Sequence, residues 1–182
     1  AQGLEQQRLR VVVPGRLLLH KGLHLLSAMV GELTQFAEVL LLGCGDYGLP
    51  FRGIEHVEVI PNYVNAALGN HVHDFAPDCA LLVSVLPESF SYTLSEMFAL
   101  GVPVVATRLG AFAERIEDGG NGFLVEPDSG AVLRCLRELA EDRVSLERVA
   151  SNLQTQPVRS AGEMVGDYRE LLRRDAQASV PS

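Results

Sequence analysis

Six short apolar runs punctuate this chain, at residues 11–13, 39–42, 57–60, 79–83, 104–107 and 123–125. Their apolar residues are mostly consecutive, which suits strands buried on both faces, as in a parallel sheet. Helical patterns fill the intervals, at about 22–36, 64–75, 91–100 and 112–117. Asp128 and Ser129 open another helix to about Glu141, and stretches near 145–155 and 161–174 read as two more. Strand–helix alternation at this spacing predicts an α/β fold: a doubly wound, Rossmann-like parallel sheet of about six strands with helices on both faces. At 182 residues the chain suits one domain with a full core. That domain is expected over 8–174, with 1–7 as a linker edge and the Ala/Ser/Pro-containing 175–182 as a flexible tail.

The formal charge of −8 argues against nucleic acid as a partner. Charge is uneven, however: Arg8, Arg10, Arg16 and Lys21 fall in the first 21 residues against one acid, Glu5. Such a patch suits one small anionic ligand, or, for Arg8 and Arg10, is a solvated edge. Cys44, Cys79 and Cys135 are scattered, odd in number and without metal-ligand spacing, so no metal is expected and a reduced, cytoplasmic protein is. No apolar run approaches the ~18 residues of a membrane span, and the first residues lack the apolar core of a signal peptide.

In doubly wound sheets ligands bind beyond the carboxyl ends of the strands. The turns at 14–22, 43–48, 61–64, 84–91 and 107–110 therefore matter most. Gly15 frees the backbone in the first, and Arg16 and Lys21 flank it. An Arg fork and a Lys point charge both suit phosphate oxygens. A cation at a helix start opposes the macrodipole, which favours a functional reason for it; His20 reads as structural or solvent-facing. After the fourth run, Glu88 precedes a helix start and Glu96 lies inside the helix, with Ser89, Phe90, Ser91, Tyr92 and Thr93 between. A helix N-terminus offers free N–H groups and partial positive charge to a phosphate. Ionised carboxylates accept hydrogen bonds from hydroxyl groups. Phosphate plus polyhydroxyl points to a sugar nucleotide. Eight residues are a little over two helical turns, which places both carboxylates on one side if both are helical.

Two turns carry other readings. Gly43-Cys44-Gly45-Asp46-Tyr47-Gly48 matches the G-x-G-x-x-G dinucleotide fingerprint. Pro50 and Gly53 then fall where the required helix should run, which weakens it. Near Asn62, Tyr63 is placed either to stack on a base or to close a pocket.

The segment from Pro87 to Thr107, with two Glu separated by seven residues and then Gly101-Val102-Pro103-Val104-Val105-Ala106-Thr107, resembles the donor-site signature of the group 1 retaining glycosyltransferases of the GT-B fold. Pro14-Gly15-Arg16 with Lys21-Gly22 upstream, and Asp118 to Val125 downstream, extend the resemblance over roughly 11–172.

The resemblance implies the donor-binding half of such an enzyme. It would transfer a sugar from a nucleoside-diphosphate sugar to a glycan or glycolipid acceptor, without an essential metal or cofactor. Arg16 and Lys21 would hold the diphosphate and stabilise the leaving group. Glu88 would contact the donor sugar near the reacting carbon, and these three would be the catalytic residues. Glu96 would hold the ribose. Gly15, Gly45, Asn62 and residues 89–93 would complete the substrate site. Ser91 stands where the family usually has Gly; its Cβ holds the backbone away from a phosphate, and its hydroxyl is available to compensate. Leu109 and Ala113 depart from the family's Gly and Pro, while Glu114 is retained, with a capping or pairing role at the rim. The family's second domain, which binds the acceptor, is absent from these residues. The fragment is therefore expected to bind nucleotide weakly and transfer nothing, with peripheral contact to an inner membrane face as the family's habit. A non-catalytic sugar-nucleotide-binding domain shares every motif, and an NAD-binding oxidoreductase domain is the rival through Gly43–Gly48.

Overall fold

The computed structural model describes residues 7–155. The linker residues 1–6, the helix expected over 161–174 and the tail 175–182 lie outside the described residues. Strands β1 (Leu9–Pro14), β2 (Ala37–Leu42), β3 (Val57–Ile60), β4 (Cys79–Leu82), β5 (Val104–Thr107) and β6 (Gly122–Val125) form one parallel sheet in the order 3-2-1-4-5-6. Helices α1 (Leu23–Leu33), α2 (Leu68–Phe75), α3 (Tyr92–Ala99), α4 (Gly110–Arg115), α5 (Ser129–Glu141) and α6 (Arg143–Thr155) join and flank the strands.

Both sheet faces are buried, as the consecutive apolar runs require. In β1 the period-2 alternation sends Val11 and Val13 into one core and Val12 into another. The first core takes Leu26, Met29 and Leu33 of α1 and Leu136 of α5. The second takes Val72 of α2 and Leu94 and Met97 of α3. Glu58 is exposed because β3 is an edge strand.

Three expected boundaries move for local reasons. Residues 65–67 form a 3-10 turn, so α2 begins only at Leu68. The helix expected over 112–117 runs from Gly110 to Arg115. There Asn121 ends it: its Oδ1 accepts from the Glu117 N–H at 2.8 Å and its Nδ2 donates to the Arg115 carbonyl at 3.2 Å. β1 extends to Pro14, because a residue without an N–H still pairs in register with Leu42.

The basic patch divides. Arg8 donates to the Thr34 carbonyl at 2.7 Å. Arg10 pairs with Glu38 at 2.9 Å, donates to the Phe75 carbonyl and lies 4.5 Å from the Phe75 ring centroid. Both sit at the amino end of β1, opposite the turns at the carboxyl ends of the strands. Both are part-buried and bonded within the fold, apart from Arg16 and Lys21.

Candidate functional site

The strand order reverses between β1 and β4, and a cleft of about 240 Å³ opens there at their carboxyl ends. Gly15, Arg16, Lys21, Glu88, Ser91 and Thr93 line it, over a floor that includes Val13, Leu81 and Phe112. Two loops, after β1 and after β4, and the start of α3 therefore bring six of the sequence-derived site residues together.

Specific contacts position Lys21, Glu88 and Ser91. Gly22 has φ +79°, and a Cβ there would collide with the Val83 carbonyl, so the turn carrying Lys21 presses on the end of β4. Across the cleft, Lys21 Nζ lies 3.8 Å from Glu88 Oε1. Arg16 is exposed at the rim, its guanidinium over the backbone of Gly45. Glu88 is fixed by its main chain. Its carbonyl accepts from the Ala111 N–H at 2.8 Å, and a Cβ on Gly110 would stand 2.5 Å from that oxygen and 2.7 Å from the Glu88 nitrogen. Glu88 thus precedes α3 in an irregular segment, so the shared-helix-face geometry for Glu88 and Glu96 does not hold.

Ser91 caps α3. Its Oγ accepts from the Leu94 N–H at 3.2 Å, and the residue is buried. Its φ of −119° is open to any residue, so the Ser costs no backbone strain. The oxygen serves the cap as an acceptor, and the hydroxyl keeps its O–H as a donor at the cleft. The N–H groups of Tyr92 and Thr93 lie ahead of the first helical bond, from Ser95 N–H to the Ser91 carbonyl.

The remaining site candidates lie outside the cleft lining. Ser89, Phe90, Tyr92 and Asn62 are exposed around it. Glu96 stands beside Tyr63; burial raises its pKa, while burial and the Glu96 charge raise that of Tyr63. Gly43 packs its Cα on the Tyr63 ring, which also meets His71 edge-on at 5.9 Å. Tyr63 is thus packed between the turn after β2 and helix α2. The G-x-G-x-x-G segment runs on as a 3-10 helix, Asp46–Phe51, with Pro50 inside, so the α-helix N-terminus of the dinucleotide reading is not formed.

Three positioning residues escaped the sequence reading. Thr107 Oγ1 donates to the Ser84 carbonyl at 2.7 Å and accepts from the Ser84 N–H at 3.0 Å. Ser84 Oγ reaches the carbonyls of His20 and Leu86 at 3.0 and 2.8 Å, joining the loops after β1 and β4. Arg115 donates to the Ser91 carbonyl at 3.0 Å and to Ser95 Oγ at 2.7 Å, and burial lowers its pKa. The rim pairing expected of Glu114 falls to this neighbour; Glu114 is exposed. Among the described residues no group of three or more His, Cys, Asp or Glu is placed to hold a metal ion, and no helix is long and apolar enough to cross a membrane.

The sheet order and its switch-point cleft define a doubly wound, Rossmann-like domain, one half of the GT-B fold. The family model of group 1 glycosyl transferases matches residues 8–142, and the chain belongs to that family. It is 33% identical to a phosphatidyl-myo-inositol mannosyltransferase of Mycobacterium leprae over 135 residues, 68% of this chain and 34% of that protein. The chain thus spans about a third of that relative's length. Among solved structures, Anabaena HepE in complex with UDP-glucose superposes with a TM-score of 0.67 at 25% identity, over 81% of this chain and 43% of that one. Sucrose-phosphate synthase of Thermosynechococcus elongatus shares the fold, with a TM-score of 0.72 at 20% identity over 97% and 47%.

Proposed function

We propose that this domain binds the nucleoside-diphosphate sugar donor of a retaining glycosyltransferase, which passes the sugar to a glycan or lipid acceptor held mainly by a second domain. The observation that carries the reading is the meeting of Lys21 and Glu88 across the switch-point cleft, before the N-terminus of α3. A diphosphate suits the amides of Tyr92 and Thr93 together with Lys21 and Arg16. The two cations and the helix dipole stabilise charge developing on the leaving group, in place of a metal. Glu88, behind the cations, accepts hydrogen bonds from the donor sugar's hydroxyls. Glu96 and the neighbouring Tyr63 take the ribose and base. The complex of HepE with UDP-glucose supports a nucleotide sugar as ligand.

The cleft volume of about 240 Å³ is below the roughly 300–1,000 Å³ of typical small-molecule sites. A nucleotide sugar therefore extends beyond it, and a facing domain completes the enclosure. The 182-residue chain alone binds nucleotide weakly and transfers nothing. The test is the thermal shift of this chain with UDP, GDP, ADP and NAD, repeated on Arg16→Ala. A ligand at 100 times its Kd stabilises by ~2.7 kcal/mol. Stabilisation by one nucleoside diphosphate, lost in the variant, supports the reading and names the base; stabilisation by NAD alone refutes it.

A further inference from the structure

We infer that Arg115 is a positioning residue that aims the first amides of α3 at the bound diphosphate. The inference rests on the donor-site reading above. Three donors converge on one carbonyl, that of Ser91: the Arg115 guanidinium at 3.0 Å, the Ser95 N–H at 3.3 Å and the Ser95 hydroxyl at 3.3 Å. Ser95 Oγ itself accepts from Arg115 Nη2 at 2.7 Å, so guanidinium, hydroxyl and carbonyl form a closed ring. In a trans peptide the C=O and the next N–H point in opposite directions. Anchoring the Ser91 carbonyl toward α4 therefore turns the Tyr92 N–H the other way, out of the helix mouth.

The guanidinium also holds the segment before the helix. It lies 4.8 Å from the centroid of the Phe90 ring, whose other neighbour is the Tyr92 ring, edge-on at 4.9 Å and 71°. The loop 90–92 is thus fixed through one carbonyl and one aromatic ring at once. A cation at the positive end of a helix is unfavourable until an anion arrives. Arg115 also ends α4, where a cation is favourable, so the two helix termini act on it in opposite senses. Only a planar fork serves, because the two acceptors and the ring face need three directions from one group.

The test compares Arg115→Met and Arg115→Lys with Arg137→Met in the 182-residue chain. Arg137 is a control of matched chemistry away from the cleft: it pairs with Glu32 at 2.7 Å and lies 4.8 Å from the centroid of the Phe36 ring. Calorimetry with UDP, GDP and ADP gives the Kd, melting gives stability, and amide NMR follows the Tyr92 N–H on nucleotide addition. Arg115→Met is expected to weaken the bound nucleotide by roughly tenfold, which is about 1.4 kcal/mol. It should also abolish the ligand-induced shift of the Tyr92 amide, while Arg137→Met loses stability alone. Arg115→Lys keeps the charge and the stem, so it tests the fork even where the Met variant folds poorly; it too should lose the Tyr92 response. Unchanged affinity and an unchanged Tyr92 shift in Arg115→Lys, with Arg16→Ala weakening binding, overturn the role of Arg115 alone. Failure of the unmodified chain to bind any of the three nucleotides overturns the donor-site reading and this inference with it.

Discussion

Lys21 and Glu88 come from opposite halves of the sheet and meet with 3.8 Å between Nζ and Oε1, over the gap where the strand order reverses. One side chain follows β1 and the other follows β4. The pair is long and partly solvated, so its worth to folding is small, within about 0–1 kcal/mol. Lys21→Met should leave the unfolding midpoint almost unchanged and weaken nucleoside-diphosphate binding by about tenfold or more. Glu88→Gln should do the reverse to affinity: removing a negative charge beside the diphosphate leaves UDP, GDP or ADP binding equal or tighter. Titration calorimetry on the two variants checks this; equal losses in both would contradict the assignment of roles.

Gly22 and Gly110 are expected to be the least replaceable glycines of the cleft. Both have positive φ, and a Cβ at either would strike backbone, of Val83 and of Glu88 respectively. Gly22→Ala and Gly110→Ala should each cost more than ~2 kcal/mol. Gly119, also at positive φ but with open space around its Cβ direction, should cost only about 1–2 kcal/mol as Ala. Urea unfolding of the three variants makes the comparison.

Burial raises the Glu96 pKa above its ordinary value of 4.5. The folded chain then binds more protons than the unfolded one, so this group's contribution falls as pH rises from 4.5 through the folded pKa. Glu96→Gln should therefore raise the Tm at pH 7, and the gain should shrink on acidification toward pH 4. The same variant should bind nucleoside diphosphate more weakly, as a charge-neutral amide accepts less strongly from ribose hydroxyls. Melting curves between pH 4 and 7 decide the first point; a Tm at pH 7 lower than that of the unmodified chain would refute it.

Thr107 ties both backbone groups of Ser84 through one hydroxyl. Thr107→Val keeps the shape and leaves a buried N–H and carbonyl without that partner. The expected loss is about 2–3 kcal/mol, and Thr107→Ser, which restores the hydroxyl, should recover most of it. Chemical denaturation of the pair measures the recovery.

Much of the site was legible because its chemistry and its topology coincide. Glycine before a cation pair, and a carboxylate before a helix start, are local patterns, and the apolar runs place both in turns at one end of the sheet. The helical phase relation of Glu88 and Glu96 failed because spacing says nothing about where a helix begins; the Ser91 cap and the contact of Gly110 with Glu88 set that. Arg115 was hidden for a related reason. In sequence it is one more cation in a helix, 24 residues from the carbonyl it holds.

What the amino-acid sequence alone determined is what depends on near neighbours. Consecutive Val and Leu runs made strands that must be covered on both faces, and their alternation with helices made the sheet parallel. Only the tertiary structure decided the strand order, and with it which two turns face each other. It also sent Arg8 and Arg10 to the opposite end from Arg16 and Lys21, and closed the ring of Arg115, Ser91 and Ser95. The reason is physical: burial follows local periodicity, whereas a hydrogen-bonded or charged contact between distant residues needs the packing of the whole sheet to bring its two groups within reach.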